Sequence, residues 1–260
     1  MSNKINKSTH RELNKKIYND TLEYIDELTK ISKLTKLSIT QKHKIKSHDV
    51  ITDYIKNFDK TIVNVINQDV IKTVIDLHSN YGLKNILVLN LASRTHFGGG
   101  VKYGALAQEE ELFRKTSYGK HSGSELYPLK INEFTFTPDV YIIKDENYNK
   151  LGVDKIFMVD MLAISALSNP KLVDGKLNES NYNMTFEKIE TIFKFALQNG
   201  SENLVLGALG CGSFNNPPLD IIKIFNICLK KYNRYFNNII FSVKSIYDKN
   251  FELFDKNILR

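Results

Sequence analysis

The strongest constraint on the fold is an order of segments that occurs twice: an apolar run, a glycine-containing loop and the start of a helix. The first copy has the apolar run 85–90, glycines at 98–100 and a helix that begins at Gln108. The second has the apolar run 203–207, a loop up to residue 218 and a helix from Pro217 or Pro218. Short apolar runs followed by loop and helix indicate buried parallel strands of an α/β fold. Both loops should then lie at the carboxyl ends of strands, where α/β proteins bind ligands.

The remaining periodic segments belong to the same fold class. An apolar run at 61–66 and a helix over 69–79, ended by Gly82, precede the strand 85–90 and predict a right-handed parallel β-α-β unit. Further strands are predicted at 134–136, 139–144, 156–161 and 239–243, a loop at 162–183, and helices at 185–198 and 250–255.

The first 60 residues differ from the rest. Ser8 or Thr9 can cap a helix that continues to about Leu28. Between Lys30 and Lys46 there are six lysines and no carboxylate, which indicates either a solvated connector or an approach surface for a polyanion. At 260 residues the chain is long enough for one large α/β domain. We expect a helical extension over 1–60, packed on a domain over 61–260.

Composition limits the partners and the compartment. The net charge of +7 is compatible with an anionic partner, although an A/T-rich genome would give the same bias. The N-terminus lacks the apolar segment of a secretion signal, and no apolar run is long enough for a membrane span. An intracellular protein, cytoplasmic or nuclear, is therefore expected, without membrane association. Cys211 and Cys228 show no metal-ligand spacing, and Cys228 is predicted to be a core residue.

The first loop combines features of an anion site and of an acid catalyst. Gly98, Gly99 and Gly100 can adopt positive φ, and their N–H groups can form a concavity that suits phosphate. Glu109 and Glu110 follow in a first helical turn, where the helix dipole favours the ionised form. A like-charged neighbour and a nearby phosphate act in the opposite direction and raise the pKa of one carboxyl group towards that of a general acid.

The second loop is a phosphate-binding candidate on its own. Its glycines, followed by a helix N-terminus, can bind phosphate through backbone N–H groups. The spacing is G-x-x-G-x-G, which is not the dinucleotide-binding fingerprint.

Three glycines, seven residues and then Gln-Glu-Glu resemble the signature of microbial-type poly(ADP-ribose) glycohydrolases of the macrodomain superfamily. The resemblance implies a macrodomain-like, mixed and mainly parallel sheet flanked by helices. It implies that Glu110 protonates the leaving ribose oxygen, that Glu109 positions the ribose, and that Asn90 holds ribose hydroxyls. Gly98, Gly99, Gly100 and Gln108 are the other implied substrate-binding residues of this region.

The second loop is similar to the family's pyrophosphate loop. The resemblance places Gly210, Cys211, Gly212 and Ser213 around the pyrophosphate. Phe214 would stack on the adenosine side or anchor the loop by packing. The chain departs from the family at Phe97, where proline is common, and the phenylalanine would either loosen the loop or add an aromatic wall.

The resemblance implies hydrolysis of ribose–ribose O-glycosidic bonds by a glutamate general acid/base, without cofactor or metal. Poly(ADP-ribose) or ADP-ribosylated proteins would be the substrate, ADP-ribose the product, and the protein a monomer. Three alternatives stay open: a hydrolase of mono-ADP-ribose linkages, a non-catalytic ADP-ribose-binding module, and a basic nucleic-acid-binding protein.

Overall fold

The computed structural model describes residues 2–35, 37–45, 54–245 and 248–260, with the backbone alone for 2–7. The helices are α1 Ser2–Lys30, α2 Val70–Tyr81, α3 Gln108–Lys115, α4 Glu179–Gln198, α5 Pro218–Lys231 and α6 Asn250–Asn257. The strands are β1 Gln41–Lys44, β2 Ile62–Ile66, β3 Ile86–Leu91, β4 Glu133–Ile142, β5 Phe157–Ile164, β6 Leu172–Val173, β7 Lys176–Leu177, β8 Asn203–Leu206 and β9 Asn238–Ser242.

Seven strands form one sheet in the order β1-β4-β5-β3-β8-β9-β2. The strands from β5 to β2 are mutually parallel, whereas β4 runs antiparallel to both β5 and β1. The predicted mixed, mainly parallel α/β fold is confirmed. The predicted β-α-β unit is parallel, but β2 and β3 are not neighbours, because β8 and β9 lie between them.

Each face of the sheet is covered by its own set of helices. On one face α4, α5 and α6 bury a core that includes Phe193, Phe225 and Phe254. On the other face α2 and α3 pack with Tyr18 of α1 over Val88 and neighbouring strand residues. Alternate residues of β3 therefore point into two different cores, which explains why this strand is continuously apolar. Cys228 is fully buried in the first core, as predicted.

Two segments were predicted wrongly. The stretches 134–136 and 139–144 belong largely to one strand, β4, whose register shifts between Thr137 and Val140. Asp139 has a φ of 54° there, so a bulge absorbs the Pro-Asp pair that resembles a turn. The predicted loop 162–183 begins with the end of β5 and ends with the start of α4. The small hairpin β6–β7 lies between them.

The first 60 residues contribute a strand as well as a helix. β1 pairs with β4 at the edge of the main sheet, so part of the lysine-rich segment is sheet rather than connector. Lys36 and Lys46 lie outside the described residues. A domain boundary at residue 60 stays a prediction. In the described part of the chain, no helix has the length and apolarity to cross a membrane.

Candidate active site

The two loops singled out from the sequence lie side by side. β3 and β8 are parallel neighbours, so the loop that follows β3 (the first loop, residues 92–107) emerges beside the loop that follows β8 (the second loop, residues 207–217). Close packing joins their starts, since a β-carbon at Gly207 would lie 3.4 Å from the Leu91 side chain. The sheet therefore brings the two predicted loops together at the carboxyl ends of its parallel strands.

The glutamate pair, Glu109 and Glu110, is buried in the first turn of α3 with exposures of 3% and 6%. The Oε1 atom of Glu109 accepts a hydrogen bond from Asn90 Nδ2 at 3.3 Å, and its Oε2 accepts one from the Ser93 N–H at 2.7 Å. The Oε1 atom of Glu110 accepts from the Gly100 N–H at 2.8 Å. Its buried Oε2 has no hydrogen-bond partner among the described residues. One carboxylate is thus held at both oxygens and the other at one.

The glycines allow the first loop to approach both carboxyl groups. Gly99 has a φ of 57°, and a β-carbon there would lie 2.5 Å from Glu110 Oε1 and 2.9 Å from Glu109 Oε2. Any larger residue would displace the pair. We predicted that the glycine N–H groups bind a substrate phosphate. In this structure Gly100 instead donates to Glu110, and Gly99 donates to the His96 carbonyl.

Burial determines the protonation state of Glu109. It raises the pKa of Glu109 from 4.5 to about 8, the hydrogen bond from Ser93 opposes the rise, and the charge of Glu110 adds to it. The sequence predicted one raised carboxyl pKa from like charge and phosphate, whereas burial is the first cause. Both oxygens of Glu109 accept hydrogen bonds, which favours the ionised form, but loss of hydration outweighs this.

Gln108 fastens the pair to the sheet. Its Oε1 accepts from the Leu91 N–H at 2.9 Å, and its Nε2 donates to the Leu89 carbonyl at 2.7 Å. The side chain extends the hydrogen bonding of β3 and ties the start of α3 to the strand that carries Asn90. Both ends of an amide predicted to bind substrate are therefore bonded to β3.

A cluster of buried polar groups surrounds Asn90. Thr135 on β4 and Asn90 on β3 both pair in register with Ala163 of β5, so all three side chains lie on one face with only a methyl group between the polar ones. Asn90 Oδ1, Thr135 Oγ1 and the Tyr118 hydroxyl are buried without a hydrogen-bond partner among the described residues. Burial also raises the pKa of Tyr118, which keeps its hydroxyl neutral. The surroundings of Glu109 are therefore polar but uncharged on this side.

Beneath the pair, α3 ends in two buried cations. Arg114 is fully buried and contacts Glu111 at 2.8 Å. Lys115 is 1% exposed and lies between Glu111 at 2.7 Å and Asp69 at 2.9 Å. Tyr148 donates a further hydrogen bond to Glu111 at 2.8 Å. Paired in this way, the charges fix the rotation of α3 and hence the direction of the glutamate pair.

Helix α1 completes this network. The Thr21 hydroxyl donates to the Arg114 carbonyl at 2.6 Å, and Arg114 Nε donates to the Asn14 carbonyl at 3.3 Å. Asn14 Nδ2 in turn donates to the Gly104 carbonyl of the first loop at 3.1 Å. The N-terminal helix therefore supports both α3 and the loop before it.

Asn216 shapes the second loop. Its Nδ2 donates to the carbonyls of Leu167 at 2.7 Å and Gly210 at 3.1 Å. Gly210 has a φ of 74°, and a β-carbon there would lie 2.5 Å from both Ala166 and Asn216. The loop is thus closed against the segment that follows β5. Pro217 caps α5, whose first residue is Pro218, as the sequence predicted.

The second loop presents unused backbone donors. In the described chain no hydrogen bond uses the N–H groups of Gly212, Ser213 or Phe214. Cys211 is half-buried, and burial raises the pKa of its thiol to about 12, so it is not a nucleophile at neutral pH. Phe214 is half-buried and packs partly against the core under the loop. Its predicted contact with adenosine stays a prediction.

Phe97 anchors the first loop. Its half-buried ring packs edge to face on Phe113 at 4.9 Å and on Tyr118 at 5.2 Å between centroids. A looser loop, one of the two predicted effects, is therefore wrong, and an aromatic wall agrees with this packing. The neighbouring His96 is exposed. Over the described chain, no group of three His, Cys, Asp or Glu side chains is placed to hold a metal ion.

Several site residues escaped the sequence analysis. Ser93 acts through its backbone N–H, so its side chain carries no signal. Asn216 was visible only as a polar residue before two prolines. Glu111, Arg114 and Lys115 did carry a signal, since spacings of three and four residues place opposite charges together on a helix.

The profile of the family described as "Microbial-type PARG, catalytic domain" matches residues 8–145, more than half of the chain. Among curated proteins, none matches the sequence.

Solved structures share the fold. Poly(ADP-ribose) glycohydrolase (PARG) from Thermomonospora curvata aligns with a TM-score of 0.73 and 18% identity, covering 95% of this chain and 100% of that one. The enzyme from Deinococcus radiodurans in complex with ADP-ribose aligns with a TM-score of 0.66 and 23% identity, covering 77% of this chain and 84% of that one. At such identities the likeness shows the fold.

Proposed function

The chain belongs to the family of microbial-type poly(ADP-ribose) glycohydrolase catalytic domains, and on this premise we propose that it cuts ribose–ribose O-glycosidic bonds with Glu110 as general acid and base. It is an enzyme of the glycosidase class through its family. Its preferred substrate is the polymer rather than a single ADP-ribose unit attached to a protein.

One observation supports Glu110 most strongly. Its Oε1 is fixed by the Gly100 N–H at 2.8 Å, while its buried Oε2 has no partner among the described residues. A general acid needs one oxygen held in place and the other available to the reacting group. Glu109 has both oxygens engaged by Asn90 and Ser93 and suits a positioning role.

The reaction follows from this division of roles. At neutral pH Glu109 keeps its proton, because burial raises its pKa to about 8. Glu110, acting as the acid, donates a proton to the leaving ribose oxygen as the bond between that oxygen and the anomeric carbon breaks. The carboxylate of Glu110 then takes a proton from water, whose oxygen bonds to the anomeric carbon. The products are ADP-ribose and a polymer shortened by one unit.

The surrounding residues bind the rest of the substrate. Asn90 and Glu109 hold the ribose, and Gln108 keeps them in register with β3. The pyrophosphate lies against the second loop at Gly210, Cys211, Gly212 and Ser213, where the N–H groups of Gly212 and Ser213 make no hydrogen bond among the described residues. Phe214 borders the adenosine side. An ADP-ribose complex of similar fold supports this ligand class.

The experiment compares Glu110→Gln with the wild type on defined poly(ADP-ribose). Release of ADP-ribose should fall by at least the roughly 10²–10⁴-fold that general acid catalysis contributes, because Gln cannot donate the proton. ADP-ribose affinity, measured by titration calorimetry, should stay within a few-fold. Glu202→Gln, which removes an exposed carboxyl group outside the site, is the matched control and should keep full activity.

Two outcomes would contradict the proposal. Full polymer turnover by Glu110→Gln would remove that residue from the chemistry. Release of ADP-ribose from mono-modified protein but not from polymer would mean that the enzyme hydrolyses the linkage between a single ADP-ribose unit and a protein.

A further inference from the structure

Lys188, on α4, is a buried cation outside the reaction described above. Its side chain is 2% exposed, and Nζ donates to the carbonyl of Ile131 in the turn before β4. In the described part of the chain no carboxylate lies within ion-pair distance of it. A buried ammonium group with a carbonyl partner but no counter-charge is unfavourable for folding, so this position calls for another explanation.

A second cation lies close to the first. Arg94 belongs to the first loop, directly after Ser93, and is exposed. Its Nη1 donates to the Leu129 carbonyl at 3.3 Å, and its own carbonyl accepts from the Leu129 N–H at 2.8 Å. Arg94 and Lys188 therefore both donate hydrogen bonds to carbonyl groups of one turn, residues 129–131. We call these two residues the cation pair. Burial and then the charge of Arg94 lower the pKa of Lys188 to about 8. Arg94 likewise has no ion-pair partner among the described residues.

The position of the cation pair along the sheet edge is informative. The neighbouring strands run β8, β3, β5, β4. The second loop follows β8. Glu109 of the glutamate pair accepts hydrogen bonds from Asn90 of β3 and from Ser93 of the loop after it. The turn 129–131 leads into β4. The pyrophosphate site, the bond to be cut and the cation pair thus follow one another in a line. On the far side of that bond, the polymer continues with its next pyrophosphate.

We infer that Arg94 and Lys188 form an anion subsite for the pyrophosphate of the unit on the leaving side of the bond. This rests on the proposed function. Arg94, exposed, contacts the phosphate oxygens, and a guanidinium suits that geometry. Lys188, behind the turn, adds positive charge and holds the turn in place. The subsite makes polymer a better substrate than an ADP-ribose derivative without phosphate beyond the bond.

A purely structural role explains less. One side chain would suffice to hold a turn through its carbonyl groups, and a neutral donor would do so without the repulsion between two cations. Repulsion that no carboxylate relieves is expected where a bound anion supplies the missing charge.

The test measures binding and turnover separately. In a Glu110→Gln background, which should not consume polymer, adding Arg94→Gln should weaken polymer binding about five- to twenty-fold at low salt. The slope of log affinity against log salt concentration should fall by about one released ion. Affinity for free ADP-ribose should not change. With Glu110 intact, Arg94→Gln should raise KM for polymer, yet leave hydrolysis of ADP-ribose linked to p-nitrophenol unaffected, since that leaving group carries no phosphate.

Three further variants complete the design. Arg94→Lys should restore most of the polymer affinity. Lys188→Met should weaken polymer binding in the same direction, with the melting temperature recorded to separate folding effects. Lys230→Gln removes an exposed charge from the last turn of α5, away from the loop edge, and should change nothing.

The inference would be overturned if Arg94→Gln bound polymer like Lys230→Gln, or if it weakened polymer and free ADP-ribose equally. Failure of the proposed function looks different. In that case the wild type releases no ADP-ribose, while the loss of polymer affinity on removing Arg94 can still be measured.

Discussion

Glu109 shows how one buried side chain sets the acid–base behaviour of the site. The residue is 3% exposed, and its pKa is raised to about 8 mainly by burial and secondarily by the charge of Glu110. The protein thus retains a proton near neutral pH at a place where an exposed carboxyl group would have lost it. Such a proton is useful to a glycosidase but unfavourable for folding at higher pH.

The effect on stability can be predicted with its sign. Between pH 4.5 and about 8 the folded protein keeps the Glu109 proton that the unfolded chain has released. The free energy of unfolding should therefore fall as pH rises through this range, by up to about 1.4 kcal/mol per pH unit, and then level off. Glu109→Gln should abolish this contribution. Compared with the wild type, the variant should gain stability between about pH 5 and about pH 8.5.

Denaturant unfolding of both proteins at the two pH values measures the difference. If the gap between variant and wild type stayed constant or closed with rising pH, burial would not have raised this pKa.

At the scale of elements, α3 is a short helix whose two ends are held by charged and polar contacts. It begins with three glutamates and ends with Arg114 and Lys115, which suits the helix dipole at both ends. Gln108 bonds its start to β3, and Lys115 bonds its end to Asp69, the N-cap of α2. Polar contacts to a strand and to a second helix therefore hold α3 in place, in addition to apolar packing.

The two bonds of Asp69 can be separated by substitution. Its Oδ1 accepts from the Ile71 N–H at 2.9 Å as a helix cap, and its Oδ2 meets Lys115 at 2.9 Å. Asp69→Asn keeps a capping side chain but removes the charge, and should cost roughly 1–3 kcal/mol, less than a fully orphaned buried charge because Glu111 remains. Asp69→Ala should cost about 1 kcal/mol more through the lost cap.

Unfolding free energies of the two variants provide the measurement. An Asp69→Asn protein as stable as the wild type would mean that Glu111 alone satisfies Lys115.

At the scale of the whole molecule, the N-terminal helix is part of the folded unit. Helix α1 buries Ile25 and Leu28, and its Asn14 carbonyl accepts a hydrogen bond from the fully buried Arg114. Lys144, 1% exposed, meets Asp20 of the same helix at 2.6 Å. These contacts agree with the predicted packing of the N-terminal helix on the rest of the chain, and they link α1 to α3.

Removal of α1 should therefore disrupt the site. A chain beginning at residue 31 loses the hydrogen bonds of Arg114 to Asn14 and Thr21 and both partners of Lys144, and should be destabilised by more than the roughly 3–5 kcal/mol typical of one broken buried pair. Thermal unfolding followed by circular dichroism, together with polymer turnover, measures the effect. A chain beginning at residue 8 is the control and should match the full chain. A stable, active chain from residue 31 would mean that α1 is dispensable.

Prediction from the sequence succeeded where a pattern repeats along the chain. Helices α2, α4 and α5 follow apolar positions three and four residues apart, with caps at Asp69, Gly82 and Pro217. It failed for β1, because the segment Gln41–Lys44 is polar and gains its place only by pairing with β4. Arg114 and Lys115 were missed for a related reason, since charged residues are almost always exposed unless the fold supplies partners.

What the sequence by itself determined is local: the alternation of strands and helices, the two glycine loops and the presence of a glutamate pair beside one of them. Each depends on neighbours within a few positions along the chain. Only the tertiary structure decided the strand order that sets the loops side by side. It also directed the Gly100 N–H to Glu110, and buried Glu109 deeply enough to raise its pKa. Those outcomes depend on groups that meet only in space, and burial and electrostatics act through space.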